Sequence, residues 1–237
     1  MGSTKISQNK KRKSLQFIKS NFNKYSQREM ARKLNLGKTT VNRWSEEIGL
    51  KSKKHTVDES FFDQFTENSA YILGLIYADG NISWNTKKGY YSLTITAAAK
   101  DKDHLELIRS ILDSSKPLLY SSITNSYRLI VNNKNLCRKL IGLGVTPRKS
   151  LTVKFPQFIS KEYLPHFLRG VIDGDGTVSY FNRKRSPYLR IMMASGSRDF
   201  CEGFVNSIRY NVGPVAKIRK VGSNTRIVQY TCYRAEK

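Results

Sequence analysis

The 237-residue sequence predicts an α+β protein: two pseudo-symmetric αββαββ(α) repeats, preceded by a small all-α domain. Three observations carry this reading. A nine-residue pattern occurs twice, as Ile72-Leu73-Gly74-Leu75-Ile76-Tyr77-Ala78-Asp79-Gly80 and as Leu168-Arg169-Gly170-Val171-Ile172-Asp173-Gly174-Asp175-Gly176. After each copy the apolar residues change from helical spacing to alternation. Ahead of both lies a strongly basic stretch whose apolar residues, from Ser14 to about Ile48, are spaced as in helices.

The chain carries 42 Lys+Arg against 18 Asp+Glu, a net charge of +24 and a pI near 10.0. Such a field needs a polyanion, and nucleic acid is the usual one. A membrane surface is the other candidate. However, no apolar run approaches the roughly 20 residues that span a bilayer, and no secretory signal opens the chain. Cys137, Cys201 and Cys232 are far apart, odd in number and without nearby histidines. They suit a reducing, intracellular setting as small buried hydrophobes and form no zinc signature.

Residues 1–54 hold 15 Lys/Arg against three acids, half of the net charge. Met1 to Lys13 reads as a disordered basic arm. Leu15, Ile18 and Phe22 form one apolar stripe on a helix from Ser14 to Lys24. Ser26-Gln27-Arg28-Glu29 is a capping box that opens a short helix through Leu34. Asn35-Leu36-Gly37 breaks it, and Lys38 begins a third helix running to about Ile48. Ser26 to Trp44 resembles a helix-turn-helix, with Met30, Ala31, Leu34, Leu36, Val41 and Trp44 as its core. That resemblance makes Lys38 to Arg43 the opening of a recognition helix, with Lys38, Thr39, Asn42 and Arg43 facing bases or phosphates. The alternative is a three-helix packing module with solvated charges. Lys51 to about Thr66 reads as a linker, with the domain boundary near residue 56.

Each nine-residue copy is an apolar helical run with Gly third and a small residue four places later (Ala78, Gly174). Small residues at that spacing share one helix face and let two backbones approach closely. If the copies pack through those faces, Asp79 and Asp175 emerge side by side. Two carboxylates so close repel unless a divalent cation sits between them. The pattern therefore predicts a metal site on a pseudo-twofold axis.

The first repeat, about 68–155, continues with a hairpin. Asn81 to Asn85 and Tyr91 to Ala98 alternate apolar with polar, joined by a turn at Lys87-Lys88-Gly89. A helix from Asp103 to Leu112, strands at Leu118–Ile123 and Tyr127–Val131, and a helix from Asn135 to Leu143 follow. The second repeat, about 156–237, has a helix from Leu164 to Asp175 and strands near Thr177–Phe181 and Tyr188–Ala194. Then come a helix from Arg198 to Tyr210 and strands near Val215–Val221 and Arg226–Tyr233. The last helix of the first repeat has no counterpart. With the apolar sheet faces against helices, the polar faces form a saddle. The first contributes Asn81, Ser83, Asn85, Ser92, Thr94, Thr96 and Arg128, the second Ser179, Arg190, Lys217, Arg219, Gln229 and Thr231. Two-stranded ribbons fit the DNA major groove. The alternative for any one of these residues is an ordinary solvated strand face.

The duplicated pattern resembles that of the LAGLIDADG homing endonucleases, over roughly Asn68 to the C-terminus. Leu143-Gly144-Val145-Thr146-Pro147-Arg148-Lys149-Ser150 and Phe155-Pro156 lead into the second copy as they commonly do in that family. The first copy departs at Tyr77, where the family name has an acid. The resemblance implies a single-chain, monomeric DNA endonuclease with internal pseudo-twofold symmetry. It further implies that Asp79 and Asp175 hold Mg²⁺, or Mn²⁺ as a substitute, with help from the backbone carbonyls of Ala78 and Gly174. The family often sets a Lys beside each metal, and Lys149 fits that catalytic role once. The same offset from Asp175 runs past Lys237, and Ala97-Ala98-Ala99 stands where a polar residue often follows the second strand, so slow, strand-biased or lost cleavage is expected. Two other readings compete: a non-catalytic DNA-binding regulator of LAGLIDADG-like fold, and an RNA-splicing maturase that binds intron RNA. A regulator would survive loss of both aspartates; a maturase would prefer folded RNA to duplex DNA at fixed salt.

Overall fold

The computed structural model describes residues 7–22, 24–50, 55–85, 89–182, 187–212 and 216–233, and these fall into two compact units divided between residues 54 and 55. None of the described helices is long and apolar enough to cross a membrane.

The N-terminal unit holds α1 (Gln8–Asn21), α2 (Gln27–Leu34) and α3 (Lys38–Glu47). Ile18, Met30, Ala31, Val41 and Trp44 form its core, with Leu15, Phe22, Leu34 and Leu36 packed around them. The expected basic arm needs correction, because Lys10 to Lys13 lie inside α1. Ser7 caps that helix by accepting from the Lys10 N–H. Lys11 is neutralised by Glu47 at 2.6 Å and lies over the Trp44 ring. The remainder of the arm, residues 1–6, is outside the described residues. Ser26 and Glu29 form the capping box of α2 in both directions. Asn35 ends that helix in the left-handed region at φ 49°, a conformation that Asn tolerates better than most residues.

The second unit begins earlier than a free linker would allow. Thr56 and Asp58 bond backbone-to-backbone with Ser115 and Leu112, and Phe62 is buried in the core. Glu59 accepts from Asn133 and Asn135, and Lys139 pairs with Asp63. The linker reading of Lys51 to Thr66 therefore fails over residues 55–66, where buried aromatic surface and paired charge dock the segment; residues 51–54 are outside the described residues.

Next come α4 (Glu67–Asp79), β1 (Asn81–Asn85), β2 (Tyr90–Ala98), α5 (Lys102–Ile111), β3 (Leu119–Ser121), β4 (Ser126–Val131) and α6 (Lys134–Gly142). The second repeat follows as α7 (Leu164–Asp175), β5 (Gly176–Phe181), β6 (Tyr188–Ser195), α8 (Arg198–Val212), β7 (Lys217–Val221) and β8 (Thr225–Tyr233). Two four-stranded antiparallel sheets result, ordered β1-β2-β4-β3 and β5-β6-β8-β7. The expected turn residues Lys87 and Lys88 are outside the described residues. One face of the first sheet, with Ile82, Leu93, Ile95, Leu129 and Val131, is buried in the core. Its pairs Ile82↔Leu93 and Leu93↔Val131 place these side chains on the same side.

Candidate active site and nucleic-acid interface

The site is built on α4 and α7. Thr66 and Ser69 cap the start of α4 reciprocally, and nearly the whole helix after it is buried. The two helices make the most extensive helix–helix contact in the unit. A Cβ on Gly74 would strike the Phe167 carbonyl and approach the Val171 N–H, whereas one on Gly170 would strike the Tyr71 carbonyl and approach the Leu75 N–H. This reciprocity is a pseudo-twofold relation between parallel helices, and only hydrogen at both positions permits it. Farther along, a Cβ on Gly174 would meet Ala78 Cβ and lie 3.2 Å from Asp79 Oδ2. Gly80 and Gly176 then turn each chain into extended backbone, leaving Asp79 and Asp175 as the last helical residues of their elements.

The two carboxylates perturb one another. Asp175 is pushed up to about 6, first by desolvation and then by the charge of Asp79, with Lys149 opposing both. Asp79 is raised too, chiefly by desolvation, again opposed by Lys149. Lys149, in a short 3-10 turn, is only 7 % exposed and donates from Nζ to the Ala78 carbonyl at 2.9 Å. Burial lowers its pKa, and the charges of Asp175 and Asp79 resist that shift. The Ala78 carbonyl, expected among the metal ligands, is thus already engaged by an ammonium, with one lone pair left. Among the described residues no cluster of three or more His, Cys, Asp or Glu side chains could hold a metal. A cation here would rest on two carboxylates and backbone oxygens, the donor type that Mg²⁺ and Mn²⁺ prefer.

Each sheet offers a second, more polar face. The pairs Asn81↔Thr94, Ser83↔Ser92 and Thr96↔Arg128 put those candidates on one side of the first sheet, with Asn85 continuing the same alternation. Asn81, Ser83, Asn85, Thr96 and Arg128 are exposed and Thr94 is half-buried. Ser92 is a correction: it is 1 % exposed, its Oγ enclosed without a hydrogen-bond partner, so it cannot meet a ligand as placed. In the second sheet Ser179↔Arg190, Arg190↔Thr231 and Lys217↔Gln229 likewise share a face, which alternation extends to Arg219. Lys217 and Arg219 are exposed; Ser179, Gln229 and Thr231 are half-buried. Arg190 is less available than expected, because its guanidinium lies 4.4 Å over the Phe181 ring and its Nε is enclosed.

Residues 162–236 match the family model described as a LAGLIDADG-like domain. The second repeat is similar to LAGLIDADG-like domains. No curated protein sequence matches the chain. Among solved structures, the chain is similar to the I-LtrWI LAGLIDADG homing endonuclease bound to target DNA, at 17% identity over 70% of this chain and 78% of that one, with a TM-score of 0.46. It is also similar to the meganuclease I-SmaMI bound to uncleaveable DNA, at 13% identity over 68% and 78%, TM-score 0.44. A third is an I-DmoI variant in complex with its target DNA in the presence of Mg, at 15% identity over 69% and 88%, TM-score 0.48.

The second repeat, together with Tyr77 of α4, also seats the segment that carries Lys149. Phe155 packs on Phe167, Phe200 and Phe204, Ser197 Oγ donates to the Val153 carbonyl at 2.6 Å, and the Tyr77 hydroxyl donates to the Leu143 carbonyl. The pseudo-twofold relation pairs Phe167, Phe200 and Tyr77 with Tyr71, His104 and Asp173. At these mates the side chains are polar, with Tyr71 buried, His104 half-buried and Asp173 exposed. The Tyr71 hydroxyl donates to Asp173 Oδ2 at 2.9 Å and lies 2.8 Å from His104 Nε2, with Arg169 stacked 4.4 Å from its ring. They line a recess of about 580 Å³ together with Asp79, Thr96, Ala98, Asp101 and Gly174. No lysine or arginine is among the described residues that line it. Sequence reasoning missed Tyr71, His104 and Asp173. Aligning the two nine-residue copies sets Asp173 opposite Tyr77, which was the available signal.

In the N-terminal unit, Lys38, Thr39 and Arg43 are exposed on α3, and Asn42 is half-buried. Asn42 accepts from Gln27 Nε2 at 2.7 Å and donates to Glu46 Oε1 at 3.2 Å. Neither partner was singled out by sequence reading.

Proposed function

We propose that this chain is a site-specific endonuclease of the homing type that hydrolyses phosphodiester bonds of double-stranded DNA. Its cation would be Mg²⁺, or Mn²⁺ in its place, which Asp79 and Asp175 would hold. The observation that carries this reading is the reciprocal seating of Gly74 and Gly170 on the opposite helix backbone, which leaves two carboxylates together at one helix end. The polar faces of both sheets and the net charge of +24 support a nucleic-acid partner. The match of residues 162–236 to LAGLIDADG-like domains supports the same reading.

When bound, a divalent ion supplies a nucleophilic water at neutral pH and offsets charge on the phosphate and on the leaving 3′ oxygen. The chain's residues prepare for this. Asp79 and Asp175 would hold the cation with oxygen donors, helped by the backbone carbonyls of Gly174 and of Ala78, the latter keeping one lone pair beside its bond to Lys149. Lys149, fixed by its bond to Ala78, places a buried positive charge where phosphate charge accumulates. Asn81, Ser83, Asn85, Thr96, Arg128, Lys217 and Arg219 present donors and acceptors to the groove, and α3 extends the contact through Lys38, Thr39, Asn42 and Arg43. Both half-sites come from one chain, so the active form is a monomer working inside the cell.

The test is cleavage of duplex DNA spanning the insertion point of the gene itself, with a broad duplex library as backup. Double-strand breaks that need Mg²⁺ and vanish in Asp79→Asn and in Asp175→Asn are expected. Specific binding that survives both substitutions, with DNA intact in Mg²⁺ and Mn²⁺, would instead assign the chain to non-catalytic regulation.

A further inference from the structure

We infer that Gln27 and Glu46 are specificity-positioning residues of the N-terminal unit, which clamp the Asn42 amide and so decide which base edge α3 can read. The inference rests on the DNA-reading role proposed above for α3. Gln27 is the first residue of α2, and Asn42 and Glu46 stand one turn apart on α3. Gln27 Nε2 donates to Asn42 Oδ1 at 2.7 Å, and Asn42 Nδ2 donates to Glu46 Oε1 at 3.2 Å.

A primary amide is nearly the same shape in its two flipped orientations, so hydrogen bonds alone select one. An ionised carboxylate only accepts, so Glu46 holds the Nδ2 side of Asn42 toward itself; a flip would set oxygen against oxygen. Gln27 completes the clamp by occupying Oδ1 with a donor. Asn42 has two acceptor positions and two N–H groups. The clamp uses one of each and leaves one of each for a ligand. One donor beside one acceptor is what the N7 and N6–H₂ edge of adenine requires in the major groove. Without the clamp, the amide rotates and satisfies other edges with a single bond. The neighbouring candidates Lys38, Thr39 and Arg43 are exposed. Asn42 is the candidate whose orientation is set before contact.

The experiment uses the full chain, selection from a randomised duplex pool, and fluorescence anisotropy at fixed salt. Asn42→Ala should erase the preference at one base pair. Gln27→Met, which keeps length and loses the donor, should weaken discrimination at that same base pair about tenfold. Its affinity for non-specific duplex and its thermal unfolding should stay at wild-type values, which a merely structural role does not predict. Combining Gln27→Met with Asn42→Ala should add nothing further. Retention of the preference in Gln27→Met while Asn42→Ala loses it overturns the clamp, as does a uniform fall in affinity across all sequences. If Lys38→Ala, Asn42→Ala and Arg43→Ala all leave the selected site unchanged, the DNA-reading role of α3 itself fails, and the inference falls with it.

Discussion

Asp175 is held against its own charge. Its carboxyl titrates near 6 in the folded chain against an ordinary value of 3.8, so the folded state binds that proton more tightly than the unfolded state. Between those values the unfolded chain releases a proton that the folded chain keeps, and stability therefore falls as pH rises through this window. Above it the metal-free protein carries the full repulsion. Asp175→Asn is expected to raise the melting temperature at pH 7.5 in chelator, with the gain shrinking as pH approaches 4. Millimolar Mg²⁺ should raise the wild-type melting temperature and leave Asp175→Asn unmoved, because a ligand that binds only the native state stabilises it by mass action. A wild-type melting temperature that is flat over this range would contradict the desolvation of Asp175 and its proximity to Asp79.

At the scale of elements, the glycines of α4 and α7 matter because each occupies space that belongs to the opposite backbone, and a carbonyl cannot swing aside as a side chain can. Gly74→Ala or Gly170→Ala should cost about 3 kcal/mol, the upper end of overpacking penalties, read by chemical denaturation. Gly142→Ala is the control. It lies in α6 with nothing within 4 Å of its prospective Cβ, so it should be neutral or stabilising by up to about 1 kcal/mol. The elements also show where patterning stops being informative. Alternation in β2 puts Ser92 on the polar face with Thr94 and Thr96, and the register agrees, but its exposure is set by packing that alternation does not encode.

The second unit is symmetric in backbone plan and asymmetric in chemistry. One half seats the segment carrying Lys149 in an aromatic groove; its mate is the open recess with Tyr71, His104 and Asp173. The asymmetry reaches the outer sheet surface. Ile82 is 2 % exposed beneath its covering core, whereas its mate Val178 is 56 % exposed. On the nuclease reading, the two strands should be cut at unequal rates, and nicked duplex should accumulate before linear product. Strand-specific end labels with sampling at early times measure this. Simultaneous loss of both strands would show that the recess is supplied with its charge from elsewhere.

Much of this architecture is legible in the sequence. The capping box at Ser26-Gln27-Arg28-Glu29, the helix break at Asn35-Leu36-Gly37, the change of period after each Asp-Gly and the paired small residues are all local. Residues near in sequence interact through bonds that spacing alone describes, and so Asp79 and Asp175 could be named from the repeat. Lys149 was legible only through the family resemblance; its burial and its bond to Ala78 came from the fold. Lys10 to Lys13 were misread because charge density favours solvent, whereas Ser7, Glu47 and the Trp44 ring, two of them distant in the chain, offset that preference. The same reason hid the Gln27–Asn42–Glu46 clamp and the Tyr71–His104–Asp173 recess. A side chain's partner and its access to water depend on which surfaces converge from separate elements, and that convergence is a property of packing in three dimensions.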